Sequence, residues 1–207
     1  SVNKEDIWIS RVPLPLGTPD DAGVDDRFGS IDAYRWHRYV PKWAEIGIET
    51  NALVLRSCDP FDHAVATRTF EPMRRCQIDL EMSVERVPRH ASISLISRLG
   101  GHVPAELIVD PAGAIELNGH PVGRVALGPS TALSIGVDLP AQMIRIALPG
   151  LPEITLPARL TCDNVQRLCV RTGLPRNVGG LKPVADGSDQ PGEEAVLRIH
   201  RLRVTRT

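Results

Sequence analysis

Aromatic side chains are scarce: three Trp, two Tyr and three Phe in 207 residues. Trp8, Phe28, Tyr34, Trp36, Tyr39 and Trp43 come early, and only Phe61 and Phe70 follow. Charge of one sign is also lacking. With 24 basic and 25 acidic residues the net charge is -1. That balance excludes a long-range pull toward nucleic acid or an anionic membrane surface. Apolar runs are far too short to cross a bilayer as a helix. No signal or transit peptide is visible. No window of 11–18 residues carries a helical stripe. HExxH, GxSxG, the P-loop and GxGxxG are all absent, and the six histidines are scattered.

The four cysteines, Cys58, Cys76, Cys162 and Cys169, form no CxxC pair, and no His stands at zinc-finger spacing. They read as buried free thiols. A Cys58–Cys76 disulfide is the alternative if the chain is exported.

What is present is a succession of short strands with turns between them. Residues 75–84 (RCQIDLEMSV) alternate most clearly. Cys76, Ile78, Leu80, Met82 and Val84 share one face, and Gln77, Asp79, Glu81 and Ser83 the other. Strands are expected near 46–50, 52–56, 63–70, 91–99, 105–109, 114–117, 131–137, 143–148, 153–156, 165–170 and 195–204. Asp110-Pro111-Ala112-Gly113, Asn118-Gly119, Leu148-Pro149-Gly150 and Arg171-Thr172-Gly173 mark turns. Asn118-Gly119 predicts a type I′ hairpin, so residues 107–125 read as a meander. Eighteen Pro and 17 Gly spread through such a series imply an all-β antiparallel sandwich or jelly roll over 45–207. Residues 1–19 read as an extra strand (Ile7-Trp8-Ile9) and a Pro-rich tether. Residues 20–44 read as an irregular linker whose aromatic rings would bury against a neighbouring surface.

Three blocks carry a resemblance: SVNKEDIWISRVPLP at the start, LRSCDPFDHAVATRTF, and RLCVRTGLPRNVGG with GSDQPGEEAVLRIHRLRV. The first resembles the closing strand of a sialidase-like, BNR-repeat β-propeller. The others resemble the concanavalin A-like jelly-roll sandwich that follows the propeller in bacterial BNR-repeat proteins. The resemblance implies an exported parent, periplasmic or extracellular, that degrades glycans as a hydrolase or lyase, with its catalytic pocket on the propeller. This chain would then be an accessory, mainly structural sandwich with a β-propeller as partner. Two alternatives stand beside it. One is an independent carbohydrate-binding module, disfavoured by the scarcity of Trp and Tyr on which pyranose faces stack. The other is one piece of a split enzyme.

Candidate chemistry follows from the same blocks. In the turn Asn3-Lys4-Glu5-Asp6, Lys4 and Glu5 would be catalytic only together with the propeller, and Asn3 would bind substrate; an ordinary solvated turn is the plainer reading. Arg171, Arg176 and Asn177 flank the long loop 174–194 and could hold a sugar carboxylate or pin the loop. Asp59, Asp62 and His63 have the residue types of a metal site, but an Asp before Pro more often caps a turn, so no metal is assigned. No cofactor is expected. In similar sequences an acidic residue on the last strand helps hold a structural Ca²⁺; here Ile199-His200-Arg201 stands instead, and neither His nor Arg suits a hard cation.

Overall fold

The structure, a computed structural model, describes residues 23–60, 62–97, 102–174 and 190–207. Among them it forms fifteen strands and no helix. The first five are β1 (Gly23–Asp26), β2 (Trp36–Tyr39), β3 (Ala44–Glu49), β4 (Ala52–Ser57) and β5 (Val65–Met73). Next come β6 (Arg75–Arg86), β7 (Ala91–Ile96), β8 (Ala105–Val109), β9 (Ala114–Leu117) and β10 (His120–Arg124). The chain ends with β11 (Ser130–Asp138), β12 (Met143–Ala147), β13 (Ile154–Pro157), β14 (Val165–Arg171) and β15 (Ala195–Arg206).

Two antiparallel sheets face each other. One runs β13-β12-β11-β6-β15-β4-β3, with β1 added beside the end of β15. The other runs β10-β9-β8-β7-β14-β5-β2. Alternation in β6 fixes its inner face: Cys76, Ile78, Leu80, Met82 and Val84 are all buried. β4 is apolar on both faces, and the outer one is covered differently. Val54 lies between Arg198 and Gly47 in register, and Glu49 accepts hydrogen bonds from both Arg56 and Arg198 around it. Long charged stems can cover apolar surface in this way.

The meander forms as its turn residues dictate. Asn118 and Gly119 both have positive φ, 53° and 81°, as a type I′ turn requires. At the preceding turn Asp110 Oδ1 accepts from the backbone N–H groups of Ala112 and Ala114, each at 2.8 Å. Gly113 has φ 80°, and a Cβ there would strike the carbonyl oxygen of Val125.

The described part of the 20–44 segment, residues 23–44, is not an irregular linker. Gly23–Asp26 pairs with Thr205–Leu202 of β15, and Trp36–Tyr39 pairs with β5. Its rings do not wait for a neighbour either. Phe28 and Trp36 are each 3% exposed and meet in the core at a tilt of 60°, with ring centroids 5.6 Å apart. Of the described aromatics in this segment, Tyr34 stands out at 67% exposure. The reason is an ion pair the sequence does not advertise. Arg68 of β5 points between the sheets, is 1% exposed, and its Nε donates to Asp26 Oδ2 at 2.7 Å. Trp36 Nε1 donates to the same oxygen at 2.9 Å. β1 and β2 are thereby clamped to opposite sheets around one carboxylate.

All four cysteines are free. A Cys58–Cys76 bridge is impossible in this fold. Ser57 pairs with Ala195 and Cys76 with Arg206, eleven residues apart on β15, or about 35 Å at the strand rise; a disulfide needs Cα atoms within about 7 Å. Burial pushes the Cys76 thiol up to about 12 and raises Cys169 as well. Since the thiolate is the reactive form, Cys76 and Cys169 should stay silent toward a thiol-specific chromophoric reagent at pH 8, and all four should react in denaturant. Native labelling of Cys76 at the rate of an exposed thiol would contradict the packing of β6.

Surface carboxylates are held ionised. The hydrogen bond from Arg201 lowers Asp25, those from Arg56 and then Arg198 lower Glu49, and the Ala141 backbone N–H followed by Arg75 lowers Asp138. A lowered folded value means that the unfolded chain binds the extra proton. The stability these pairs contribute is therefore present above the ordinary carboxylate range and lost on acidification below about pH 4. The melting temperature should be flat from neutrality to about pH 5 and fall below it; a rise on acidification would contradict these pairings.

Candidate functional site

Three connections cross from one sheet to the other at the same end of the sandwich: β4 to β5, β6 to β7 and β14 to β15. The register makes this unavoidable. Ser57 at the end of β4 lies beside Ala195 at the start of β15, and Arg86 at the end of β6 lies beside Val196. On the other sheet Arg171, ending β14, lies between Val65, starting β5, and Ser92 near the start of β7. A cleft of about 150 Å³ opens between the three connections. The first supplies Ser57, Asp59, Pro60 and His63; the second Pro88 and Arg89; the third Thr172, Gly192 and Glu193.

Hydrogen bonds tie each connection to the others. Gly192 N donates to the Cys58 carbonyl at 2.6 Å, and Ala64 N donates to Thr172 Oγ1 at 3.0 Å. Arg89 Nη1 donates to the Pro60 carbonyl at 2.6 Å. Ser92 Oγ donates to the Gly173 carbonyl at 2.8 Å. The His63 ring lies directly on Gly173, where any Cβ would coincide with the imidazole. Such cross-ties hold the walls before any ligand arrives, which is how a site avoids an ordering cost on binding.

The Asp59, Asp62 and His63 turn is built as a capped turn. Asp59 Oδ1 accepts from Asp62 N at 2.8 Å, Asp62 Oδ1 accepts from His63 N at 2.9 Å, and Tyr39 donates its hydroxyl to Asp62 Oδ2 at 2.6 Å. Among the described residues no group of three His, Cys, Asp or Glu is placed to hold a metal ion. On the last strand Arg201 grips Asp25 through Nε at 2.9 Å and Nη2 at 3.0 Å, and His200 Nε2 lies 3.0 Å from Ser83 Oγ.

Of the residues singled out from sequence, Asn3, Lys4, Glu5, Arg176 and Asn177 lie outside the described residues. Arg171 ends β14 on the outer face of its sheet and donates from Nη1 to Ser94 Oγ at 3.1 Å. The structure brings two of the flagged blocks together, since the 58–63 turn and the Arg171-Thr172-Gly173 turn form facing walls. Sequence reasoning missed Arg89 and Glu193. Val87-Pro88-Arg89 is a strand-to-strand turn, and a turn alone does not say what it faces.

This arrangement defines the class: an all-β, concanavalin A-like jelly-roll sandwich with a preformed cleft between its sheet crossovers. The chain belongs to the family of sialidase-like, CBM (carbohydrate-binding module) domains, whose model matches residues 36–186. A comparison with curated proteins finds no sequence match. Solved structures share the fold. A sialidase superposes with TM-score 0.85 at 20% identity, over 95% of this chain and 20% of that one. The chain thus spans about a fifth of that sialidase. A Bacillus licheniformis beta-glucanase gives TM-score 0.58 at 10% identity, covering 89% of this chain and 98% of that one. A Bacillus subtilis protein of galectin-like fold gives 0.59 at 10%, covering 88% and 94%.

Proposed function

We propose that this chain is the non-catalytic, accessory sandwich of a larger sialidase-like protein that acts on glycans, with the catalytic pocket on a β-propeller partner. The observation that carries the reading is the superposition of nearly the whole chain on one fifth of a sialidase. The family's description as a sialidase-like CBM domain supports it. In this reading Lys4, Glu5 and Asn3 belong with the propeller pocket rather than with the sandwich.

The test is the mass of the native protein and the activity of these 207 residues alone. A native polypeptide several times this length is expected, with no product released from sialosides or polysaccharides by the isolated chain. Steady turnover by the isolated chain would overturn the accessory role.

A second reading, that the sandwich itself holds carbohydrate, is favoured by the preformed cleft. The two readings are compatible: a domain can be docked on a propeller at one face and grip a glycan at another.

A further inference from the structure

We propose that the side chain of Asn118 is a latch between the two sheets, and that Asn118-Gly119 is a modification site at which deamidation releases it. The inference stands apart from the accessory reading above and needs no ligand.

The wiring comes first. Asn118 Oδ1 accepts from Glu106 N at 2.9 Å. Its Nδ2 donates to the Pro104 carbonyl at 3.2 Å and to the Pro157 carbonyl at 3.1 Å. The partners fix which end of the amide is which, because a backbone N–H faces one side and two carbonyls the other. Pro104 leads into β8 of one sheet, and Pro157 closes β13, the edge of the other. One NH₂ group therefore spans both sheets at this side of the sandwich. Arg159 N donates to the same Pro104 carbonyl at 2.8 Å, and the Arg159 side chain pairs with Glu106. The connection leaving β13 is tied down at the same place.

Turn chemistry alone does not ask for this amide. Asp-Gly builds a type I′ turn as Asn-Gly does, and the φ of 53° at residue 118 is open to either side chain. What separates the two is the Nδ2 end. An ionised carboxyl has no proton to donate, and it would set an anionic oxygen against two carbonyl oxygens. Pro104 would keep the Arg159 N–H, while the tie from residue 118 to Pro157 would be lost.

Of the five asparagines only Asn118 precedes a glycine. In deamidation the Gly119 nitrogen bonds to Asn118 Cγ and gives its proton to solvent. The Cγ–Nδ2 bond breaks, ammonia leaves, and a five-membered succinimide remains. Water then opens either carbonyl of that ring to give aspartate or isoaspartate. Nothing crowds the attacking residue: a Cβ placed on Gly119 meets no atom within 4 Å, and the residue is exposed. Hydrogen bonds at both ends of the amide hold Cγ in place, so the reaction waits on a local opening. It runs one way, since the lost ammonia takes the donor with it.

Two measurements test the latch. The full chain is aged in mildly alkaline buffer, native and in urea, and the peptide containing Asn118 is followed by mass for amide-to-carboxyl conversion. Native conversion should be at least about tenfold slower than conversion in urea, as for a group released only by local opening. The Asn118→Asp variant should melt about 3–8 °C below wild type, the effect of losing two hydrogen bonds in a chain of this size. Aged protein, separated by its added negative charge, should melt at or below the variant's temperature. Equal rates in buffer and urea would mean that the hydrogen bonds do not hold the amide. A variant that melts with wild type would mean that turn geometry alone accounts for Asn118. Either result would overturn the latch, and neither touches the accessory reading, which native mass and turnover decide separately.

Discussion

Asp26→Ala should destabilise the domain by about 3–5 kcal/mol, the cost of breaking a buried ion pair from one side. Arg68 is 1% exposed, so it cannot turn to water when the carboxylate goes. Its Nη1 keeps the Thr69 carbonyl. Trp36 Nε1 loses its acceptor at the same time, adding the penalty of a buried donor. The result is distinctive in combination. Arg68→Met in the Asp26→Ala background removes the buried cation and fills the space with an apolar chain of similar reach. Replacing a buried pair outright is often near neutral, so the double variant should recover most of the loss. Denaturant unfolding of the two single variants and the double variant measures this coupling. Additive losses would mean that the pair does not clamp the sheets.

Gly173→Ala should act on the cleft rather than on the sheets. The Gly173 backbone is fixed by Ser92 Oγ on its carbonyl, and the preceding Thr172 exchanges hydrogen bonds with Ala64. The His63 ring must therefore swing away from any new Cβ. Overpacking of this kind costs about 1–3 kcal/mol, and it removes one wall of the pocket. Sugar binding should weaken by about tenfold or more while the thermal transition stays cooperative, as a shared titration and melting series would show. Retained affinity with a relocated His63 would mean that this wall does not contact ligand.

The strands were legible where their signal is local. β6 and the meander 107–125 follow from two-residue alternation and from turns whose positive φ only Gly and Asn accept readily. β1 and β2 were not. Four residues each, GVDD and WHRY, are too short and too polar for periodicity to speak. They are strands because β15 and β5 offer them an edge and because Asp26 meets Arg68 across 42 residues. The aromatic cluster misled for the same reason: unpaired rings in an apparent linker look like a docking surface until their strands are known. The candidate site was half legible. The 58–63 turn and the Arg171-Thr172-Gly173 turn stood out by composition. Arg89 and Glu193 belong to the site only because three sheet-to-sheet crossovers end together, a fact of topology that no local pattern encodes.

The decisive question is where a glycan touches the sandwich. Backbone amide chemical shifts of the ¹⁵N-labelled full chain, followed during titration with a neutral sugar, answer this without choosing residues in advance. The largest changes are predicted at 57–60, 62–64, 89–92, 172–174 and 192–195, around the crossovers. Changes centred on the outer face of β6 and β11, at Gln77, Asp79 and Ser134, with the crossover amides unmoved, would contradict it.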